Sequence, residues 1–275
     1  LMERMTGKKI AVEIHREPSK YAKPPESILE LRDLEAKGFF SDINLTVGKK
    51  EIVGIAGLLG SGKTELAKAI FGALPKTIPV TGKYAFEGEE VDMKTLTPGK
   101  AKKMGIGYVT EDRHTEGMIP EQSVTFNITL PALNRVTRRA VVIGRKALEL
   151  VTGVIKAVVL RPPEPSRLVK LLSGGNQQKV VIGKWLAAQA RLLMLDEPTR
   201  GVDVGAREEI YDVVTQLARG GVGVLLFSSD LREIMKVSDR IVVMSHGQIV
   251  AELAPHEASE AKLLALVLGE KAANK

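Results

Sequence analysis

The 275-residue sequence contains no cysteine, few aromatic residues and no long hydrophobic segment free of charged residues. The absence of cysteine excludes disulfide bonds and thiolate metal sites, and it fits a reducing compartment. Aromatic residues make up only 4% of the chain, which is too few for the basic, aromatic-rich surface of many nucleic-acid-binding proteins. The most apolar long stretch, residues 141–160, carries Arg145, Lys146, Glu149 and Lys156, so it cannot span a bilayer. No secretory signal opens the sequence, and we expect a soluble protein that reaches a membrane only through a partner.

Basic residues outnumber acidic ones by 40 to 33, which gives a net charge of +7. Such a balance permits binding to nucleic acid or to an anionic membrane surface. The charges are interspersed, however, and the small basic clusters lie only at residues 100–103 and 135–139. We interpret these clusters as solvated faces, because surfaces of mixed sign are normal.

The first 26 residues differ in composition from the rest of the chain. Residues 15–26, HREPSKYAKPPE, are rich in proline and charge, which is typical of a linker. Upstream of them, ERMTGKK resembles LVLGEKA near the other end of the chain. This likeness indicates that residues 1–14 are the tail of a preceding repeat. The sequence therefore predicts a tail and linker over residues 1–26 and one domain over residues 27–275.

Strand and helix patterns alternate from residue 27 onward. ILELRDL and DINLTV alternate like half-exposed strands, whereas EIVGIAG, RLLMLD and VGVLLFSS are apolar runs typical of buried parallel strands. Helical spacing is found over residues 64–72, 144–159, 205–219 and 258–268. This order predicts an α/β fold with a mainly parallel sheet covered on both faces and a small antiparallel sheet formed by the opening strands.

The segment GLLGSGKT matches the pattern G-x-x-x-x-G-K-[ST] and lies between an apolar strand and a helix. In this context the pattern binds phosphate, because glycines let backbone N–H groups face the phosphate oxygens. Lys63 can reach the β- and γ-phosphates of a nucleoside triphosphate, and the Thr64 hydroxyl can bind Mg²⁺. The predicted phosphate-binding residues are Gly57, Leu58, Leu59, Gly60, Ser61, Gly62, Lys63 and Thr64. A glycine-rich turn without a ligand is the disfavoured alternative, since both flanking elements are present.

A second apolar segment, RLLMLDEP, ends in two carboxylates. Asp196, at the end of the strand, suits a contact to Mg²⁺ beside Thr64. Glu197, one residue further on, suits a general base that activates the attacking water. The alternative is that the two acidic residues cap a helix near Pro198.

The segment LLSGGNQQKVVIGKWLAAQA contains a helix capped by Ser173, with Gly174 and Gly175 in its first turn. Taken alone, this helix N-terminus is an anion site of low specificity. The order GLLGSGKT, LSGGNQQ and LMLDEPTRGVD, however, resembles the ordered motifs of the ABC ATPase family. The resemblance extends from Ser27 to about Leu268.

In that family the domains work as head-to-tail pairs, and each ATP lies between the phosphate loop of one domain and the LSGGN helix of the other. The resemblance implies that residues 57–64, Asp196 and Glu197 form this chain's own site, with ATP and Mg²⁺ as its ligands. It also implies a P-loop (RecA-like) fold with a small antiparallel β subdomain and a helical subdomain over about residues 113–188.

The same resemblance assigns other residues to the partner domain's site. Ser173, Gly174 and Gly175 would complete the site on the partner. Asp203, in the segment GVDVGA, would lie in the loop that crosses the interface between the two domains.

Three segments, LSGGNQQKVVIGKWL, LDEPTRGVDVGA and YVTEDR, resemble the second half of the double-length ATPase subunit of monosaccharide importers. This implies a second nucleotide-binding domain as partner, namely the N-terminal half of the same polypeptide. It also implies an integral membrane permease that touches the helical subdomain and, indirectly, a periplasmic or surface sugar-binding protein. The expected location is the cytoplasmic face of the cell membrane, as a peripheral subunit without a nucleic-acid partner.

Two positions depart from the family pattern. Most members have a glutamine after the strand equivalent to IGYV and a histidine after the last core strand, whereas this chain has Glu111 and Ser229. Glu111 can still bind Mg²⁺ or its water but adds negative charge, and serine is too short to bridge the γ-phosphate and the attacking water. We therefore predict an asymmetric pair, in which this domain's own site binds ATP but hydrolyses it slowly. The alternative is that Ser228 and Ser229 only cap the helix at Asp230.

Two other functions are open from sequence alone. An ABC ATPase that acts on nucleic acid or ribosomes is compatible with the basic charge, but the chain lacks zinc-binding cysteines and long coiled-coil heptads. A regulatory module that binds ATP with little turnover would have little need of Glu197. For the nucleotide base, Phe39 or Phe40 can stack on adenine, although both residues suit the core equally.

Overall fold

Two main β-sheets and the helices around them organise residues 26–269, the part of the chain that the computed structural model describes. The predicted tail and linker therefore lie almost wholly outside the described residues. Within residues 26–269 the strands are β1 (Ser27–Ala36), β2 (Phe40–Gly48), β3 (Ile52–Ala56), β4 (Val80–Phe86), β5 (Glu89–Glu90), β6 (Ile106–Val109), β7 (Thr137–Arg138), β8 (Val141–Val142), β9 (Leu192–Asp196), β10 (Gly223–Ser228), β11 (Arg240–Ser245) and β12 (Gln248–Leu253). The α-helices in the same range are α1 (Lys63–Phe71), α2 (Pro98–Met104), α3 (Val124–Thr129), α4 (Leu133–Val136), α5 (Gly144–Ala157), α6 (Gly174–Ala187), α7 (Val204–Arg219), α8 (Leu231–Val237) and α9 (Glu260–Val267).

The larger sheet has the strand order β12-β11-β3-β10-β9-β6. Its five strands from β11 to β6 run parallel, and β12 pairs antiparallel with β11. Every residue of β3, β9 and β10 is buried, as expected for strands covered on both faces. The prediction of a mainly parallel sheet is confirmed. Because parallel strands end at the same edge, the segments that follow β3, β6, β9 and β10 lie close together.

The smaller sheet is antiparallel, with the strand order β2-β1-β4-β5. It lies beside the larger sheet, since β2 contacts both β10 and β12. The predicted small antiparallel sheet is thus confirmed as a separate sheet rather than an extension of the parallel one.

The edge strand β12 was not predicted from the sequence. It follows β11 through the two-residue turn His246–Gly247, in which both residues have positive φ, +49° and +76°. Such a turn suits the twist of a hairpin. The residues of β12 alternate between exposed and half-buried, so the strand lacks the strong apolar signal of its neighbours. The histidine-glycine pair directly after the apolar strand β11 was the available signal.

Helices α3, α5 and α6 pack against one another. The contact is close, because a Cβ on Gly183 of α6 would lie 2.8 Å from Val154 of α5. The apolar stretch 141–160 forms β8 and α5, and α5 buries Ala147, Val151, Val154 and Ile155 on one face. Within residues 26–269 no helix is both long and apolar enough to cross a membrane. The boundaries of a helical subdomain at residues 113–188 stay a prediction.

Candidate nucleotide-binding site

The glycine-rich segment 57–64 connects β3 to α1 in a conformation that needs glycine. Gly60 and Gly62 have φ of +80° and +90°, values that residues with a side chain rarely adopt. A Cβ on Gly62 would lie 2.7 Å from the carbonyl oxygen of Phe39, and one on Gly57 would lie 2.6 Å from Ser61 Oγ. A side chain therefore has no space at Gly57 or Gly62, and the backbone of the loop packs directly against its neighbours.

The N-terminus of α1 faces the cavity without a cap. No side chain accepts a hydrogen bond at the start of the helix, and the N–H groups of a first helical turn have no acceptor within their own helix. Ser61 Oγ is buried nearby and, within the described part of the chain, has no hydrogen-bond partner. Free donors at a helix N-terminus favour an anion, and a phosphate group fits this loop.

Lys63 brings a buried positive charge to the same place. Its Nζ donates hydrogen bonds to the carbonyl oxygens of Gly57 at 2.6 Å and Leu58 at 3.3 Å, and it lies 3.7 Å from Glu197 Oε1. Burial lowers the pKa of Lys63, and the carboxylates of Glu197 and Asp196 oppose that shift. The ammonium group is thus held beside the loop by carbonyls and a carboxylate, which incoming phosphate oxygens can replace.

Asp196 lies at the buried end of β9 and accepts hydrogen bonds from two hydroxyl groups. Thr64 Oγ1 donates to Asp196 Oδ1 at 3.3 Å, and the Tyr108 hydroxyl donates to Oδ2 at 2.9 Å. Burial raises the pKa of Asp196 to about 6, although both hydrogen bonds lower it. The contact of Tyr108 with Asp196 was not predicted, because nothing in the sequence pairs a tyrosine of β6 with a residue of β9.

The oxygen donors of Thr64 and Asp196 suit Mg²⁺, which prefers hard oxygen ligands. Among the described residues no group of three or more His, Cys, Asp or Glu side chains can hold a metal ion. Mg²⁺ characteristically takes one or two protein oxygens and completes its shell with water and phosphate. The residues present therefore fit a metal that binds together with a nucleotide.

Glu197 is held at the end of β9 in an unusual backbone conformation. Its φ is +46°, a value that is strained for a residue with a side chain and that persists where the surroundings fix it. Here its N–H donates to the carbonyl of Phe227 at 2.9 Å, and its Oε1 accepts from the Ser229 N–H at 2.7 Å. The interpretation of Asp196 and Glu197 as a helix-capping pair is wrong, since the next helix, α7, is capped by Asp203.

In the segment after β10, Asp230 caps the following helix, and Ser228 and Ser229 do not. Asp230 is the N-cap of α8 and accepts from the N–H groups of Arg232 at 3.0 Å and Glu233 at 3.3 Å. Ser228 is buried, and its Oγ accepts from the Asp230 N–H at 3.0 Å. The interpretation of Ser228 and Ser229 as helix caps is therefore wrong. Ser229 lines the cavity instead and fixes Glu197 through its backbone.

Glu111, which follows β6, also reaches the cavity. Its carboxylate forms an ion pair with the Arg200 guanidinium, a contact that sequence reasoning missed. The backbone carbonyl of Arg200 accepts from Arg113 Nη1 at 2.8 Å. Two charged residues of the segment 111–113 thus bind the segment that follows Glu197.

These segments enclose a cavity of about 500 Å³, a volume within the usual range for small-molecule sites. Residues 58–65 line it together with Glu111, Glu197, Arg200 and Ser229. Phe40 is only 3% exposed and belongs to the core, so the prediction that it can stack on adenine is wrong. Phe39 is 39% exposed, and its stacking role stays a prediction.

The sequence model described as "ABC transporter" matches residues 40–200. The chain belongs to the ABC transporter family. A ribose import ATP-binding protein of Rubrobacter xylanophilus is 40% identical over 267 residues, which are 97% of this chain and 52% of that protein. A second ribose import ATP-binding protein, of Caldanaerobacter subterraneus subsp. tengcongensis, is 40% identical over 270 residues, 98% of this chain and 53% of its own. The chain therefore spans about half the length of the curated relatives it matches.

The fold is also that of solved ABC proteins. A nucleotide-free ATP-binding cassette from an ABC transporter superposes with a TM-score of 0.72 at 24% identity, covering 89% of this chain and 96% of the other. This agreement supports the architecture of two sheets and packed helices.

In this ABC domain the residues Ser173, Gly174, Gly175 and Asp203 do not line the cavity described above. Ser173 stands at the N-cap of α6, but its side chain does not cap the helix, because Asn176 Nδ2 donates to its Oγ at 2.9 Å. Asp203 caps α7 by accepting from the Ala206 N–H at 2.9 Å. The chain's own loop and strand-end residues thus line one cavity, and Ser173, Gly174, Gly175 and Asp203 lie outside it.

Helices α6 and α7 of the ABC domain are tightly joined beside these residues. A Cβ on Gly175 would lie 2.4 Å from Ala206 Cβ. The Lys179 side chain, 1% exposed, donates to Glu209 Oε2 at 2.6 Å and to the Val159 carbonyl at 2.9 Å. The start of α6 and the start of α7 therefore form one packed unit.

Proposed function

We propose that this chain is an ATP-binding and ATP-hydrolysing domain that powers the import of a simple sugar through a membrane permease. The observation that carries the proposal is the position of Glu197, whose carboxylate is fixed between the Lys63 ammonium and the Ser229 N–H at the edge of the phosphate loop. A pure binding module has little need of a carboxylate held there. The sugar is suggested by the relatives, which are named as ribose import ATP-binding proteins.

The geometry supports hydrolysis by direct attack of water on the γ-phosphate. The N–H groups at the start of α1 and the Lys63 ammonium bind the phosphates and stabilise the charge that develops on them. Glu197 orients the attacking water and accepts its proton. Mg²⁺, held by Thr64 and Asp196 with Glu111 beside them, would neutralise phosphate charge when bound.

The proposal includes a second nucleotide-binding domain. Ser173, Gly174, Gly175 and Asp203 have no place in the chain's own cavity, which is what the family resemblance expects of residues that complete a partner's site. On this proposal residues 27–275 form the domain, and residues 1–26 are the tail and linker that join it to an N-terminal half. On the same proposal this domain lies at the cytoplasmic face of the membrane and binds an integral membrane permease, and a periplasmic or surface sugar-binding protein takes part indirectly.

Mg²⁺-dependent ATP hydrolysis by this chain, followed across protein concentration beside direct ATP binding, tests the proposal. We expect ATP binding with slow turnover that stays slow at every concentration, because the site needs another half. Hydrolysis that rises steeply with concentration would show that two copies build competent sites and would end the asymmetric version of the proposal. Absence of ATP binding would overturn the proposal itself.

Restoring an imidazole at position 229 should speed the slow site. We expect Ser229→His to raise turnover about tenfold, because a side chain that contacts the γ-phosphate adds transition-state stabilisation. The backbone N–H that holds Glu197 is retained in this variant. Single-turnover hydrolysis in the presence of the second domain measures the effect, with Ser229→Ala as the matched control. Equal rates for all three proteins would remove the main support for the slow site.

A further inference from the structure

Arg200 differs from the other cations that line the nucleotide cavity. Among the described residues three cations line it, namely Lys63, Arg200 and Arg207. Lys63 donates to Gly57 and Leu58, and Arg207 Nε donates to the Val202 carbonyl at 3.1 Å. Both of these cations also pair with a carboxylate that lines the cavity, Lys63 with Glu197 and Arg207 with Asp230. Within residues 26–269 the Arg200 guanidinium contacts only the carboxylate of Glu111, which lines the same cavity, and it donates to no backbone carbonyl.

The backbone of Arg200 is fixed, whereas its side chain is not. Its N–H donates to the Glu197 carbonyl at 3.1 Å, and Arg113 donates to the carbonyls of Arg200 at 2.8 Å and Gly201 at 3.4 Å. The side chain itself is 66% exposed. The guanidinium can therefore change partners without moving the loop that carries it.

The ion pair with Glu111 is easily exchanged. The Arg200 side chain is 66% exposed and that of Glu111 is 27% exposed, so water reaches both charges. Ion pairs that water reaches add little to stability. An arginine that meets phosphate instead makes parallel charge-assisted hydrogen bonds, which are stronger. Arg200 lines the same cavity as the phosphate loop and Lys63, so we expect the terminal phosphate of a bound triphosphate to come within reach of its guanidinium.

We propose that Arg200 is a triphosphate-sensing residue, whose guanidinium leaves Glu111 and binds the γ-phosphate when ATP, but not ADP, occupies the cavity. The inference rests on the proposed function, since it requires nucleotide in this cavity. It gives Glu111 a role that the sequence did not suggest, as the partner that holds Arg200 while no γ-phosphate is present. Once released, Glu111 faces the adjoining cavity, which Thr64 and Asp196 also line.

Nucleotide affinity tests the proposal directly. The dissociation constants of ADP and of a non-hydrolysable ATP analogue are measured by calorimetry on the 275-residue chain at fixed Mg²⁺. We expect Arg200→Ala to weaken binding of the ATP analogue about tenfold and binding of ADP less than about twofold, since only ATP carries the contacted phosphate. Arg200→Lys should recover part of the loss. The matched control is Arg232→Ala, which removes an exposed arginine paired with Glu260 outside the cavity.

A second variant separates exchange of partners from simple charge repulsion. Glu111→Gln frees Arg200 and should tighten binding of the ATP analogue about threefold, and this gain should shrink by at least about half in the Arg200→Ala background. An equal gain in both backgrounds would overturn the exchange, because Glu111 would then act through its charge alone.

The proposal for Arg200 and the proposed function can fail separately, and the affinities tell the two failures apart. If Arg200→Ala weakens ADP and the ATP analogue equally, or weakens neither, the proposal for Arg200 is wrong while the nucleotide site stands. If the unaltered chain binds neither nucleotide, the proposed function fails first. Thermal melting of each variant, monitored by circular dichroism, establishes that it is folded before its affinity is compared.

Discussion

Replacing Glu197 with glutamine should reduce ATP turnover about 10²- to 10³-fold and leave ATP affinity within about threefold of the unaltered chain. The amide keeps the shape of the carboxylate, and it can still accept a hydrogen bond from the Ser229 N–H. It cannot accept a proton from water, however. Loss of a positioned base therefore reduces the chemical step and spares binding.

The measurement is single-turnover hydrolysis beside ATP binding, in the unaltered sequence and in the faster Ser229→His background. Glu149→Gln serves as the matched control, because Glu149 is exposed and pairs with Arg145 on the surface of α5. If Glu197→Gln retained more than about a tenth of the turnover in both backgrounds, Glu197 would not be the base.

Replacing Lys63 with methionine should weaken ATP binding about 100-fold, by removing a charge-assisted contact to two phosphates. The side chain is buried and its environment already lowers its pKa, so in the nucleotide-free chain its charge is poorly solvated. Methionine fills a similar volume without that charge. We therefore expect the nucleotide-free variant to melt within a few degrees of the unaltered chain.

Calorimetric titration with ATP and ADP measures this loss, and thermal melting reports stability. Lys236→Met provides the matched control, since Lys236 pairs with the exposed carboxylate of Glu208. An ATP affinity within about threefold of the original would mean that the backbone N–H groups of the loop suffice to bind phosphate.

The parts of the site that lie within one segment could be predicted from the sequence. The glycines of the loop indicate its backbone conformation. The position of Asp196 and Glu197 at the end of an apolar strand indicates that their carboxylates reach the site. Parallel pairing of β3 and β10 and of β10 and β9 then brings these segments to one edge. Local pattern and the geometry of parallel sheets were sufficient for this much.

The contacts between distant segments could not be predicted in the same way. Tyr108 and Asp196 are 88 residues apart in the chain, and the pairing of Glu111 with Arg200 also joins β6 to the end of β9. Such partners depend on which strands are neighbours and on side-chain direction. The residue spacing within one segment carries no information about neighbouring strands or side-chain direction. The sequence also did not show that Asp230, rather than Ser228 or Ser229, caps the helix, because serine and aspartate are both good helix caps.

The close contact between α6 and α7 has a mechanical consequence. Gly175 meets Ala206 with no space for a methyl group, and Lys179 binds Glu209 in the interior. If α3, α5 and α6 rotate against the sheet, this contact acts as the pivot. Ser173 lies two residues from Gly175 in the chain and would then be displaced little by such a rotation.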